Sequence, residues 1–139
     1  MCIHFRKFVF LAVGIVCLFL TLAGCNNNED NDDDSKSNQF AGNYSGTYTG
    51  DEDGTWTAVF SDDGKVTATI VSPSMGTLTG NGTISTSGQM SMTTNGTIST
   101  GPYSATWSGT FQIQNGVAIG SGTWQSNIGD YGSWEGHRL

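Results

Sequence analysis

Phe40, Gly42, Tyr44, Gly46, Tyr48 and Gly50 occupy alternate positions, and the residues between them are Ala41, Asn43, Ser45, Thr47 and Thr49. This period of two sets apolar or glycine residues on one side and small polar ones on the other, and it predicts a half-buried β-strand. The pattern returns at Trp56, Ala58, Phe60; Val66, Ala68, Ile70; Leu78, Gly80, Gly82, Ile84; and Met90, Met92. It continues at Tyr103, Ala105, Trp107, Gly109, Phe111, Ile113; Ala118, Gly120, Gly122, Trp124; and Gly132, Trp134, Gly136. No comparable stretch repeats at the helical period of 3.6 residues.

Turn-forming residues separate the runs: Asp51 to Gly54, Asp62 to Gly64, Ser72 to Gly76, Ser87-Gly88, Gly101-Pro102, Asn115-Gly116 and Asn127 to Asp130. Gly, Pro, Asn and Asp suit tight reversals because they tolerate or fix the required backbone angles. The sequence thus predicts an all-β domain of eight antiparallel strands over residues 40–139. An extra hairpin at Asn95-Gly96 would raise the count towards ten. Consecutive hairpins with one apolar face are satisfied by closure into an up-and-down barrel, which leaves no open edge. A two-sheet β-sandwich is the alternative. A membrane-spanning barrel is excluded, since one complete face is Thr, Ser, Asn and Gln where lipid would demand an apolar belt.

Composition changes what such a barrel can hold. Residues 40–139 contain 18 Gly, 17 Thr and 13 Ser, and Leu, Ile, Val and Phe number only fifteen. Eleven aromatic residues therefore carry much of the core. At eight strands a barrel interior is just wide enough to be packed with side chains or to hold one small ligand. Gly54-Thr55-Trp56, Gly122-Thr123-Trp124 and Gly132-Ser133-Trp134 resemble the Gly-x-Trp punctuation of avidin-like and lipocalin-like barrels. The resemblance is one of pattern, carries no family binding residues onto this chain, and implies the fold while leaving the ligand open.

The first 39 residues read differently. Arg6 and Lys7 precede a fifteen-residue apolar run, Phe8 to Leu22, short for a bilayer span and followed by Leu22-Ala23-Gly24-Cys25. This ending resembles the bacterial lipoprotein lipobox. The resemblance implies a signal peptide over 1–24, cleavage before Cys25, and acyl chains on the Cys25 thiol and the new amino group, an anchor of the multiple-chain kind that membranes retain. Behind it, Asn26 to Gln39 holds five acids, one lysine and no apolar side chain, which predicts a disordered acidic linker over 25–39. Asn26 in place of Asp, followed by the acidic run, resembles the sorting signals of Gram-negative outer-membrane lipoproteins. That implies an outer-membrane location, with the domain on the outer face of the cell if the acidic run is an export signal and either side open if Glu29 to Asp34 is a plain solvated linker.

Removing the signal moves the charge from −7 over 139 residues to −9 over residues 25–139, with Lys36, Lys65 and Arg138 as the only bases. Such a chain is unsuited to nucleic acid. One cysteine and one histidine remain, which excludes a disulfide scaffold, a Cys/His zinc site and a Cys-His nucleophilic pair.

Candidate sites follow from topology. In an up-and-down barrel alternate turns share an end, so Asp51, Glu52 and Asp53 neighbour Asn127 to Asp130 while Asp62 and Asp63 lie opposite. Asp51, Asp53 and Asp130 are a geometrically allowed calcium set without EF-hand-like ligand spacing. The linker enters at the end of Asp62 and Asp63, so the other rim, with Tyr103 and Tyr131, is the expected contact surface for an envelope protein or glycan. A barrel open at its mouth would instead bind a small apolar compound among Trp56, Trp107, Trp124 and Trp134. Glu135 and His137 share the polar face without any accompanying reaction motif, so no enzyme is expected and no cofactor. Arg138 is expected to stack on Trp134 at the barrel end. The resulting expectation is a non-catalytic, monomeric, membrane-anchored barrel that presents a surface.

Overall fold

The computed structural model describes residues 37–139. The expected signal peptide, Cys25 and the linker up to residue 36 lie outside the described residues. Eight strands follow in chain order: β1 (Gly42–Gly50), β2 (Gly54–Phe60), β3 (Lys65–Ser72), β4 (Gly76–Ile84), β5 (Gln89–Ile98), β6 (Gly101–Gln114), β7 (Val117–Ser126) and β8 (Tyr131–Arg138). Each pairs antiparallel with the next, and β8 returns to β1 through Tyr44↔Arg138 to Gly50↔Gly132, so the sheet is a closed barrel. The strand count is eight, and the sandwich is ruled out by that closing ladder.

The alternation assigns the faces. Tyr44, Tyr48, Trp56, Phe60, Ile70, Leu78, Trp107, Phe111, Trp124 and Trp134 are all buried, and the Thr and Ser positions between them line the outer wall. Rings meet edge to face, as in Tyr48 with Trp107 and Trp56 with Trp134, at centroid separations of 5.3 and 5.8 Å. Such pairs add about 0.5–1.5 kcal/mol each beyond the area they bury. Space for these rings comes from glycine: a Cβ at Gly46 would lie 2.5 Å from Cε2 of Trp56, and one at Gly122 would lie 2.7 Å from Nε1 of Trp134.

Four local expectations are corrected. Asn95-Gly96 forms no hairpin and runs within β5, opposite Ser104 and Tyr103. A Cβ on Gly96 would press on the end of the Leu78 side chain, so the glycine leaves that buried leucine its room. The reversal instead falls at Ser99-Thr100, and Gly101-Pro102 opens β6, a position where proline's missing N–H does least harm. Ile113 is 42 % exposed although it shares the inward parity. The pairing of β5 with β6 stops at Thr110, so the tip of the β6–β7 hairpin projects past its neighbour. Asn38 and Gln39, expected in the linker, are bonded to the barrel. Asn38 is buried, donates from Nδ2 to the Ile84 carbonyl at 3.0 Å, and receives the Phe40 N–H on Oδ1 at 3.0 Å.

The Asn115-Gly116 hairpin forms as expected, with φ of 51° and 82°, the paired positive values of a two-residue hairpin turn that suit the twist of the strands.

Candidate functional site

The barrel has no open mouth. Trp56, Trp107, Trp124 and Trp134 are all buried, and the space left between Trp56, Phe60, Met92, Trp107, Phe111 and Trp134 amounts to about 10 Å³. That is about the volume that admits one water, against a few hundred Å³ for a typical ligand pocket. Three indoles are tied into the wall. Trp124 Nε1 donates to the Thr49 carbonyl at 3.2 Å, Trp134 Nε1 to the Ser108 carbonyl at 3.1 Å, and Trp107 Nε1 to the Thr94 hydroxyl at 3.2 Å. Trp56 Nε1 and Tyr48 Oη, also buried, have no hydrogen-bond partner among the described residues. A tryptophan that must swing to admit a compound would break these bonds and disrupt its edge-to-face neighbours.

The two ends differ. Ser37 Oγ donates to Asp62 at 2.6 Å and the Asn38 N–H to the Asp62 carbonyl at 3.1 Å, so the chain enters the barrel beside Asp62, as strand parity requires. At this end Arg138 does not stack on Trp134. Its guanidinium donates to the Gln39 and Ala41 carbonyls at 3.1 and 3.3 Å. Four residues of extended chain, about 13 Å, separate the two positions, and the arginine turns towards the entering segment. Asp63, held by a hydrogen bond from the Lys65 ammonium and another from the Ser61 hydroxyl, has its carboxyl lowered to about 2.

At the far end the first and last turns meet: the Tyr131 N–H donates to Asp51 Oδ2 at 3.0 Å and the Asp51 N–H to the Tyr131 carbonyl at 3.1 Å. Asp53 Oδ1 accepts the Gly50 N–H at 3.2 Å. These are two of the three carboxylates of the calcium set. Asp51 and Asp53 are occupied with backbone groups of the turns, and among the described residues no three carboxylates, imidazoles or thiols converge on a point. The two rim tyrosines separate. Tyr103 is 4 % exposed and closes the barrel end, burial raising its phenol above the ordinary value, with Asp130 adding to the rise. Tyr131 is 67 % exposed.

A depression of several hundred Å³ lies on the outer wall, where strand parity alone gives little signal. On the inner side of three adjacent strands, Gly46 of β1 pairs with Gly136 of β8, which pairs with Gly120 of β7. With no Cβ in this row the strands rest directly on the rings of Trp56 and Phe111. The depression follows two parallel outward rows, Thr47–Glu135–Ser121–Thr110 and His137–Ile119–Gln112. Two stretches of about 350 Å³ each lie over the glycine row, and an adjoining one of about 510 Å³ lies over Thr47, Thr49, Ser121, Thr123 and Ser133; all three touch Glu135. Glu135 and His137 make no side-chain hydrogen bond with one another among the described residues, and Ser45 and Ser121 stand opposite them on the neighbouring strands. They belong to a surface groove, which single-strand parity places on the polar face without indicating its depth. The legible signal was the cross-strand alignment of glycines, which requires the ladder registers to be known.

Compared with protein-family models, with curated proteins and with solved structures, the chain matches none.

Proposed function

We propose that the protein is a non-catalytic lipoprotein of the bacterial cell envelope that holds a filled β-barrel off the membrane and presents its outer surface to an envelope protein or glycan. The observation that carries this reading is the closed interior, with about 10 Å³ left among its aromatic rings. A barrel packed in this way offers recognition on its outside or not at all. Entry of the chain beside Asp62, at the opposite end from Tyr131, supports an arrangement in which Cys25 and the acidic linker tether one end and the Tyr131 rim faces away. The anchor and the Gram-negative outer-membrane location rest on the lipobox-like Leu22-Ala23-Gly24-Cys25 and the acidic residues behind it.

Metabolic labelling with an alkyne fatty acid tests the anchor. Label on the wild type and none on Cys25→Ala is the expected result, and equal labelling of the two refutes it. Protease added to whole cells tests presentation: loss of the barrel before lysis is expected, and protection until lysis places the domain inside the envelope.

A further inference from the structure

The groove over β8 is a second feature of the surface, and its chemistry narrows the kind of partner. Tyr131, Ser133, Glu135 and His137 follow one another along the outer face of β8, a line of about 20 Å. An exposed ring stands at one end and a single carboxylate near the middle, with hydroxyl and amide side chains of β1, β6 and β7 on the flanks. Within the 510 Å³ part the one hydrogen bond between lining side chains among the described residues is Thr49 Oγ1 with Ser133 Oγ at 3.4 Å. The other hydroxyls have both donor and acceptor capacity available.

A protein segment would gain little here. It would need an open strand edge to extend or apolar pockets to fill. The barrel is closed, and Ile119 is the only aliphatic side chain among the residues lining the three stretches. A polyanion is disfavoured by Glu135 in the groove and by Asp51, Glu52, Asp53 and Asp130 around the Tyr131 end, with no lysine or arginine lining any of the stretches. A neutral glycan has what the groove lacks and accepts what it offers. Its hydroxyls donate to the carboxylate and exchange hydrogen bonds with Thr and Ser, and the C–H face of a sugar ring rests on an exposed tyrosine.

We propose that the outer groove over β8 binds a neutral oligosaccharide in extended form, with Glu135 accepting hydroxyl groups of one sugar and Tyr131 stacking on another. This rests on the presentation reading and names its partner class.

The test uses nitrogen-15-labelled residues 37–139, which contain every strand and the whole core, titrated with dextran, laminarin, mannan and cello-oligosaccharides in turn. The expected result is a saturable shift of the Tyr131, Ser133, Glu135 and Ser121 amides with at least one of them. Glu135→Gln should weaken binding about tenfold or more, the loss of a hydrogen bond to a charged group, and Ser121→Arg should abolish it, both variants keeping the wild-type spectrum elsewhere. No shift with any of the four glycans overturns the proposal. Shifts produced instead by a lysine-rich peptide or by alginate also overturn it, while leaving the presentation reading standing. Shifts confined to the buried tryptophan indoles, with the groove amides unmoved, overturn both.

Discussion

Trp56 lies across two glycines of neighbouring strands, Gly46 and Gly136, and a Cβ on Gly46 would stand 2.5 Å from one ring carbon and 2.6 Å from another. The contact joins inside to outside, because the sheet that settles onto the indole is the same sheet whose far side forms the groove over Glu135.

Gly136→Ala should therefore destabilise the barrel by about 1–3 kcal/mol, the usual cost of an extra methyl in a packed site, and lower Tm by several degrees. Guanidinium unfolding followed by tryptophan emission measures it. The account also expects the groove to become shallower, so a variant that remains folded should lose whatever binds there.

Thr94 is fully buried, receives the Trp107 indole N–H at 3.2 Å and donates to the Ala105 carbonyl at 3.3 Å. Thr94→Val keeps the volume and removes both bonds, leaving a buried N–H without a partner at a cost of about 1–3 kcal/mol. Thr94→Ser, which keeps the hydroxyl, should cost less. Equal stability of Thr94→Val and wild type in urea unfolding contradicts the role assigned to the hydroxyl.

Thr94 also shows where reading the sequence stops. Period two fixed which residues of each run face inward, and parity alone brought Asp51 to Tyr131 and Asp62 to the entering chain. Parity applies equally to Thr94, on the inward phase after Met90 and Met92, but a threonine is not counted as core until a tryptophan on the next strand is known to need its hydroxyl. Asn95-Gly96 has the composition of a turn, and the Leu78 side chain on β4 converts its glycine into a close-approach position. Asn38 reads as linker because its partners, Ile84 and Asp62, lie 46 and 24 residues away. The groove was illegible for the same reason: Gly46, Gly136 and Gly120 form a row only once two ladder registers are in place.

Residue 38 sets the working boundary of the domain. A chain beginning at residue 37 should unfold with the same Tm as one beginning at residue 25, whereas Asn38→Ala should cost about 1–3 kcal/mol through the stranded Ile84 carbonyl and Phe40 N–H. Thermal melts of the three proteins compare them directly.

The buried phenols give an alkaline limit. Burial raises Tyr44, Tyr48 and Tyr103 above the ordinary value of 10.0. Their folded values exceed the unfolded ones, so their contribution is complete below pH 10.0 and is lost as pH climbs through the raised values. Tyrosinate absorbance of these three should develop together with unfolding. Asp63 has the opposite sign. Its carboxyl is lowered from 3.8 to about 2, so its contribution is present above pH 3.8 and fades as pH falls towards 2. Asp63→Asn should flatten the acid side of the stability profile over that interval.

A barrel whose interior is full is left with its outside for recognition. Tryptophan emission, recorded on protein purified from the cells that make it before and after every co-purified small molecule is stripped away, tests this most directly. The account predicts an unchanged emission maximum, since all four indoles are already packed against protein. A shift that accompanies release of one equivalent of a small apolar compound would contradict it.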